Sequence, residues 1–288
     1  MKKNISSFMT VLSCSLLMAS CSNADNSLKN DENKQSSINV DANTIQKPSA
    51  QKPSAQKSSF DVKVGLMSSS TGNAPLIFID EKGGIQGFEY DILKEIDERS
   101  DYNFQYEYQP RDDLFNGMND KEIDMIAGIE ISKERTQKYN MTNSYLDVYP
   151  ITLLSKNPKI KKLEDIDKNY TAVKEDSMQT TFTIVKDYEN NHDNTNIDYT
   201  VSDWISVQAL LRDDVKIAIG NSVAMPYFYS KYSTKKDPLY FSIDYDYPQQ
   251  SYGFLINKEN VDMMNDMNKH ILDMKSDGTY QKIFKKWF

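Results

Sequence analysis

The sequence from Phe60 onward predicts an α/β fold, because short apolar runs alternate with helical patterns. "FDVKVGLM" and "VKIAIG" have the length and residue types of strands, and "FEYDILKEIDE" has the spacing of an amphipathic helix. Strands that are separated by helices favour a mostly parallel sheet covered on both faces. Ligands of such sheets bind beyond the carboxyl ends of the strands, so the ends of "IDMIAGI" and "VKIAIG" are the first places to examine.

The chain begins with MKKNISSFMTVLSCSLLMASCS, which has the basic start, apolar stretch and small residues of a secretory signal peptide. Its last residues, from Leu17 to Cys21, resemble a bacterial lipobox, in which the cysteine is acylated and becomes the new N-terminus. Met18 stands where a leucine is usual. We expect residues 1–20 to be a signal peptide and Cys21 to carry the lipid that anchors the exported protein to the cell membrane; the alternative is an ordinary signal with an incidental cysteine.

The following segment, residues 21–59, is polar and contains the near-repeat "QKPSAQKPSAQKSS". Such a composition predicts a disordered tether with a root-mean-square reach of about 35 Å. The only cysteines of the chain are Cys14 and Cys21, so the mature protein is expected to contain no disulfide. A net charge of −8 argues against a nucleic-acid partner.

After the tether, the alternation begins with a helix whose Phe88, Ile92, Leu93 and Ile96 share one face. "PLIFIDEKGGIQG" reads as a strand and a glycine turn, and "VYPITLLS" reads as one strand. The remaining predicted elements are the strands "YNFQYEYQ" and "IDMIAGI", the helix "SVQALLRDD", the strand "VKIAIG" and the helices of "VDMMNDMNKHILDMKSDGTYQKIFKKWF".

Catalytic signatures are scarce. Neither His192 nor His270 has a metal-ligand neighbour at helical spacing, so both are interpreted as surface or packing residues. "GNSVA" lacks the final glycine of a nucleophile elbow. We expect no catalytic residue, no metal and no cofactor.

The stretch "GIEISKERTQKY" places Glu130 and Arg135 just after a buried-looking strand. One interpretation is a solvated helix start, because glutamate is common near helix N-termini. The other is a site that binds a charged small molecule. The sequence pattern alone leaves both open.

The segments, taken in order, resemble the polar amino-acid-binding proteins of ABC importers, which are solute-binding proteins of family 3 with the type II periplasmic-binding-protein fold. The resemblance extends from Phe60 to Phe288. The segments that carry it are "VKVGLMSSSTGNAPLIFIDEKGGIQGFEYDILKEI", "IDMIAGIEISKERTQKYNMTNSYLD", "IKKLEDIDKNYTAVKEDSMQTTF", "SVQALLRDDVKIAIGNSVAMPYF" and "YGFLINKENVDMMNDMNKHILDMKSDGTYQKIFKKWF".

This resemblance implies a two-lobed venus-flytrap fold with two crossing segments, near Asp147–Ile151 and Tyr247–Gly253. Lobe one would comprise residues 60–148 and 251–288. Lobe two would comprise residues 149–250.

The resemblance also implies which residues bind the ligand. Arg135, in the match Ser132-Lys133-Glu134-Arg135 to the family's "S/T-x-x-R" turn, would clamp the α-carboxylate, because a guanidinium offers two parallel donors. Backbone donors of Ala127 and Gly128 would assist. A second loop, Asp176-Ser177-Met178, would add further contacts from lobe two.

Two of the three positions in this second loop depart from the family pattern, and so do three other parts of the site. The aspartate that usually holds the α-ammonium is Asn221, whose amide oxygen still accepts a hydrogen bond but carries no charge. The usual aromatic stretch is represented by Asn73-Ala74-Pro75-Leu76. Glu130 replaces a serine or threonine, and relatives with an acidic residue there include arginine binders, which implies a cationic ligand.

The sequence therefore predicts a monomeric, lipid-anchored protein that captures a polar, cationic amino acid and delivers it to an ABC permease, with no reaction catalysed. One alternative is a dehydratase-like enzyme of the same architecture that uses Glu130 or Glu175 as acid or base. Another is a surface antigen that binds no ligand.

Overall fold

The structure, a computed structural model, describes residues 60–67, 73–80 and 82–288. The predicted signal peptide, Cys21 and the predicted tether lie outside this part of the chain. Within it, none of the helices combines the length and the apolar character that crossing a bilayer requires.

Two large sheets and eight α-helices make up most of the described chain. A small hairpin of two strands, each of two residues, and a short 3-10 helix at Leu163–Ile166 complete it. The strands are β1 (Phe60–Met67), β2 (Phe78–Ile79), β3 (Ile85–Gln86), β4 (Tyr102–Gln109), β5 (Met125–Glu130), β6 (Asn140–Met141), β7 (Leu146–Val148), β8 (Thr152–Ser155), β9 (Tyr170–Lys174), β10 (Asn196–Thr200), β11 (Ile217–Gly220), β12 (Tyr240–Ile243) and β13 (Gln250–Ile256). The helices are α1 (Phe88–Arg99), α2 (Arg111–Asn119), α3 (Lys133–Lys138), α4 (Thr180–Asn191), α5 (Asp203–Leu211), α6 (Ala224–Tyr232), α7 (Val261–Asp277) and α8 (Thr279–Trp287).

Lobe one is built on a sheet in the order β4-β1-β5-β13-β6, with β7 also paired to β13. Helix α1 packs against it through Phe88, Ile92, Leu93 and Ile96, which are all fully buried. The predicted apolar face of this helix is confirmed. Burying four such side chains removes several hundred square ångströms of apolar surface from water, which is the main force holding α1 to the sheet.

Lobe two is built on a sheet in the order β10-β9-β11-β8-β12. Its strand β11 is buried at every position, as its apolar run predicts, because helices cover both faces of the sheet. Helices α5 and α6 contribute Val207, Leu210, Met225 and Phe228 to the core on one of these faces. The two-lobed α/β prediction is confirmed.

The expectation of mostly parallel sheets is wrong for the two strands by which the chain enters a lobe after a crossing. Strands β4, β1 and β5, like β10, β9 and β11, are parallel, but β13 runs antiparallel to β5, and β8 runs antiparallel to both of its neighbours, β11 and β12. These two strands come directly from the other lobe. They therefore enter their sheet from the opposite end to the strands that follow helices.

The prediction of a single strand for "VYPITLLS" is also wrong. Val148 ends β7 in lobe one and Thr152 begins β8 in lobe two, so the segment is the first crossing between the sheets. Pro150 lies between them and has no N–H to continue a ladder. Similarly, "PLIFIDEKGGIQG" forms only the short strands β2 and β3 around a turn whose N–H groups bond to Asp80.

The first crossing is fastened to lobe two by a pair of hydrogen bonds. Tyr149 N–H donates to Ser222 Oγ at 2.9 Å, and Ser222 N–H donates to the Tyr149 carbonyl at 2.9 Å. The second crossing is residues 244–249, between β12 and β13. The lobe boundaries at 148/149 and 250/251 stay predictions, and this exchange of strands between the sheets supports them.

Candidate functional site

The candidate site lies where the carboxyl ends of parallel strands from both lobes face one another. Glu130 ends β5, Arg111 follows β4, Asp176 follows β9 and Asn221 follows β11. This is the place that the rule for parallel sheets predicts. Arg135 joins them from the short helix α3, whose first turn is capped by Ser132 Oγ, the acceptor for the Arg135 N–H at 3.3 Å.

The Arg135 side chain is buried, with 4% of its surface exposed. Its Nη1 donates to the Glu130 carbonyl oxygen at 2.5 Å, and its Nη2 donates to the Met178 carbonyl oxygen at 3.5 Å. Its Nε is buried without a hydrogen-bond partner, and within the described ranges no carboxylate forms a salt bridge with it. Burial, followed by repulsion from Arg111, lowers the pKa of Arg135. Glu130 and Asp176 interact with it electrostatically and raise its pKa against these effects, but neither forms a salt bridge with it. The site therefore holds a desolvated cation that has no direct ion pair among the described residues.

Glu130 is also buried, with 8% of its surface exposed. Its Oε2 accepts the Thr180 N–H at 3.3 Å and its Oε1 accepts the Thr180 hydroxyl. Thr180 is the first residue of α4 in lobe two, where the positive end of the helix dipole favours an anion. The solvated-helix interpretation of "GIEISKERTQKY" is therefore wrong: Glu130 and Arg135 are both buried, and Glu130 bonds to a helix of the other lobe.

Asp176 joins the lobes through a second set of charges. Arg111 of lobe one forms a salt bridge with Asp176 Oδ1, and Lys174 Nζ lies 3.3 Å from Asp176 Oδ2. The Asp176 side chain is only 8% exposed, so both pairs are shielded from water. Because two cations hold this carboxylate, its charge is already compensated within the protein.

These contacts bring the lobes together over the site. The space between Arg135, Glu130, Gly128 and Tyr252 is about 10 Å³, which is room for about one water molecule. An amino acid is several times larger. Ligand entry therefore requires the contacts of Glu130 and Asp176 with the opposite lobe to part.

Asn221 begins the loop that leads into α6. Its Oδ1 accepts the N–H groups of Val223 at 3.1 Å and Ala224 at 2.9 Å. Its amide N–H group also donates to the hydroxyl of Tyr252. This bond lowers the pKa of Tyr252, whereas burial, the largest effect, raises it. The oxygen of Asn221 is thus committed to the helix, and what the side chain offers to the cleft is an N–H donor.

The other residues implied by the resemblance lie at different depths around the site. Asn73 borders the cleft and donates from Nδ2 to the Gly128 carbonyl oxygen at 3.2 Å. Ala127 and Leu76 belong to the core of lobe one. Ser177 and Met178 are exposed at the mouth, and the Met178 carbonyl oxygen reaches Arg135. Direct contact of these residues with a ligand stays a prediction.

Gly128 has a φ of +75°, and Glu89 lies directly behind it. Glu89 is fully buried, and its Oε1 accepts the Tyr145 hydroxyl. Its Oε2 is buried without a hydrogen bond that meets the usual geometric limits, and it would lie 3.6 Å from a Cβ atom placed on Gly128. Burial raises the pKa of Glu89 to about 7, against the lowering effect of Tyr145 and the Gly128 backbone. The Gly128 N–H, expected to assist the ligand, is therefore directed toward a carboxyl group of the protein.

Sequence reasoning missed four residues that shape this site: Arg111, Thr180, Tyr252 and Asp203. Arg111 follows the carboxyl end of β4, so the strand-end rule already applied to β5 and β11 finds it. Thr180 and Asp203 are first residues of helices and look like ordinary helix starts. Tyr252 lies in an antiparallel strand, where the strand-end rule gives no signal.

In the part of the chain that the structure describes, no group of histidine, cysteine, aspartate and glutamate side chains is arranged to hold a metal ion. The groups that line the cleft are charged side chains and backbone donors and acceptors, which can bind a small zwitterion or ion.

A family model for bacterial extracellular solute-binding proteins, family 3, matches residues 65–288. The chain belongs to this family. Members of this family are solute-binding proteins, and the matched region includes all of lobe two, lobe one from Gly65 onward and every charged residue of the cleft described above.

Among the relatives of this family 3 protein is a probable histidine-binding protein of Neisseria gonorrhoeae, which is 22% identical over 227 residues, 78% of this chain and 83% of the relative. A solved structure of an ancestral arginine-binding protein bound to arginine has 24% identity and a TM-score of 0.67, covering 79% of this chain and 98% of that one. AncCDT-1, an ancestral amino-acid-binding protein and a precursor of cyclohexadienyl dehydratase, has 21% identity and a TM-score of 0.65, covering 79% and 95%. The two structures confirm the fold.

The buried Glu89 makes the stability of this family 3 protein depend on pH. Because its pKa is raised from 4.5 to about 7, the folded protein holds a proton there that the unfolded chain has lost, so stability falls as pH rises from 4.5 to 7. Glu89→Gln removes this effect. In urea unfolding, the stability of the variant relative to wild type should therefore rise between pH 4.5 and pH 8, by at most about 3 kcal/mol.

The matched control is Glu98→Gln, on the exposed side of the same helix, which should show no such trend. A stability difference between Glu89→Gln and wild type that stays constant from pH 4.5 to pH 8 would contradict the assignment.

Proposed function

We propose that this family 3 protein is a monomeric, exported receptor that captures an α-amino acid with a cationic side chain between its lobes and presents it to an ABC permease. The observation that carries the proposal is the Arg135 guanidinium, which is buried in the cleft with a free Nε and no carboxylate partner among the described residues. A buried charge is stable only with a partner, and a ligand carboxylate supplies one through two parallel bonds.

Glu130 supports a cationic side chain on the ligand. Its carboxylate is buried beside the same cavity, yet its partners at Thr180 are neutral donors, and within the described part of the chain no lysine or arginine side chain forms a salt bridge with it. A ligand that adds a positive charge there compensates the anion more fully than a neutral ligand does. The printed names of two relatives, a histidine-binding and an arginine-binding protein, agree with such a ligand.

A dehydratase-like activity is the second candidate, and the likeness to AncCDT-1 is what favours it. Glu175 is exposed at the rim, and both oxygens of Glu130 accept hydrogen bonds from Thr180. Neither is poised as a free acid or base in this arrangement. A thermal-shift screen with product analysis separates the candidates, because a receptor is stabilised without turnover, an enzyme consumes its ligand, and an antigen shows no shift.

The anchor at Cys21 is part of the proposal and rests on the lipobox-like end of the leader. A lipid chain stabilises membrane binding by about 0.8 kcal/mol per buried methylene. The tether of residues 22–59 would let the lobes reach a permease while the lipid stays in the bilayer.

Replacing Arg135 should abolish tight binding. Arg135→Ala leaves a ligand carboxylate without its buried partner, and we expect a loss of about 2 to 5 kcal/mol, or about 30-fold to several thousand-fold in affinity. Arg135→Lys should lose affinity as well, because an ammonium cannot form the two parallel bonds. Calorimetry with the amino acid found in the screen measures both.

Lys138→Ala, an exposed cation on the same helix α3, is the control for Arg135 and should bind as wild type does. Unchanged affinity in Arg135→Ala would remove this residue from the site.

Replacing Glu130 by glutamine should alter selectivity. Affinity for arginine, lysine or ornithine should fall by about 2 kcal/mol, because a charged partner is lost, while affinity for glutamine hardly changes. Glu134→Gln, exposed on α3, is the matched control. Equal weakening of neutral and cationic ligands would show that Glu130 acts only through its bond to Thr180, and a wild type that ignores every cationic amino acid would refute the cationic assignment.

Cys21→Ser should release the protein from the membrane pellet into the soluble exported fraction, because no lipid can then be attached. Cys14→Ser, inside the predicted signal peptide, should leave the protein in the pellet. Retention of Cys21→Ser in the pellet at the wild-type level would show that the lipobox assignment is wrong.

A further inference from the structure

The cleft lacks an obvious acceptor for the α-ammonium of an amino acid. At Asn221, Oδ1 is occupied by the N–H groups of Val223 and Ala224, and the remaining amide group is a donor. An ammonium is also a donor only, so it cannot bond to that group. At Asp176, both oxygens lie against the cations of Arg111 and Lys174.

A second carboxylate, Asp203, lies beside the same loop. It begins α5, whose N-cap is the hydroxyl of Ser202 and not Asp203 itself. Its Oδ1 is so close to Gly220 that a Cβ atom there would stand 3.2 Å away, which places the carboxylate next to Asn221. Within the residues that the structure describes, no hydrogen bond or salt bridge involves this carboxylate.

The surroundings of Asp203 join it to the rest of the cleft. Tyr252, which lines the small cavity together with Arg135, interacts electrostatically with Glu130 from lobe one and with Asp203 from lobe two. Asp203 also interacts electrostatically with Lys174 and Asp176, and Lys174 is already paired with Asp176 at 3.3 Å. Burial, the largest effect, raises the pKa of Asp203, and Asp176 raises it further, whereas Lys174 lowers it.

The charged residues of the cleft can be sorted by whether they form a salt bridge within the protein. Arg111 and Lys174 both pair with Asp176, and in the part of the chain that the structure describes one cation, Arg135, and two carboxylates, Glu130 and Asp203, form no salt bridge. An amino acid with a cationic side chain carries one carboxylate and two positive groups. The buried, unpartnered Nε of Arg135 is a suitable donor for the carboxylate end of such a ligand.

On this basis, and resting on the proposed function, we propose that Asp203 accepts the α-ammonium of the ligand in place of Asn221, while Glu130 faces the cationic side chain. The negative charge that the family pattern places at the end of β11 is then supplied by Asp203, the first residue of α5. Asn221 Oδ1 stays bonded to the N–H groups of Val223 and Ala224, and the amide N–H group of Asn221 holds the Tyr252 hydroxyl beside the ammonium.

The test uses the full chain and two probes, L-arginine and 5-guanidinopentanoate, which is arginine without its α-amino group. If another α-amino acid binds wild type more tightly, that amino acid and its deamino analogue replace them. Wild type should prefer the amino acid by at least about 30-fold, as expected for a buried charge pair. Asp203→Asn should lose at least about 30-fold in affinity for the amino acid and stay within about 3-fold for the deamino analogue.

Two measurements guard against a merely structural effect. Asp203→Asn has nearly the same shape, and because burial disfavours the ionised carboxylate, the unligated variant should unfold at the wild-type temperature or above it. Asp187→Asn, an exposed residue of α4 in the same lobe, should bind both probes as wild type does.

Each remaining outcome overturns the inference. If Asp203→Asn weakens both probes equally, Asp203 supports the fold or the closure and does not contact the ammonium. If wild type binds amino acids and Asp203→Asn keeps the full preference for the α-amino group, the inference falls while the proposed function stands. If wild type binds no α-amino acid, both fall.

Discussion

The site is organised around one buried positive charge that forms no salt bridge within the described part of the chain. Arg135 is held in place by the Glu130 carbonyl oxygen at the end of β5 and by its own position in the capped helix α3. Removing a guanidinium from water is costly, and dipoles of backbone carbonyl groups compensate that cost only in part. An anion that reached this guanidinium would therefore have an advantage over water that depends on its charge and not on its shape.

How much of this could be predicted differs from residue to residue. Arg135 was predictable, because both the strand end and the family turn "S-K-E-R" mark it in the sequence. The partner of Glu130 was not, because Thr180 is 50 residues away and belongs to the other lobe. The same holds for Asp203, which the chain reaches after its first crossing between the lobes, and for Tyr252, which it reaches after the second. Local patterns report elements and their ends, whereas a site between lobes depends on pairings across long stretches of sequence.

The expectation that the sheets are mostly parallel was wrong for a related reason. Periodicity detects a strand but carries no information on its direction, and β8 and β13 are reversed because the chain enters each of them directly from the other lobe. The undivided strand predicted for "VYPITLLS" contained a signal that was overlooked. Pro150 interrupts the run and cannot take part in a ladder, so a break at that point was implied by the sequence itself.

The contacts between the lobes are of a kind that can be exchanged. Buried ion pairs such as Arg111 with Asp176 contribute little net stability, because the desolvation of both charges offsets their attraction. The bond from Thr180 to Glu130 is likewise one that water or a ligand can replace. A ligand that makes contacts of similar strength with both lobes therefore has only a small difference in free energy to overcome, and its differential affinity decides the position of the equilibrium.

The paired hydrogen bonds between Tyr149 and Ser222 connect two parts of the molecule with different tasks. Tyr149 belongs to the crossing about which the lobes would turn, and Ser222 follows Asn221 in the loop at the cleft. Two bonds between the same pair of residues resist rotation as well as separation, so they hold the loop to the crossing. Any turning of the lobes about this crossing would therefore carry the loop with it, so that the shape of the cleft and the angle between the lobes change together.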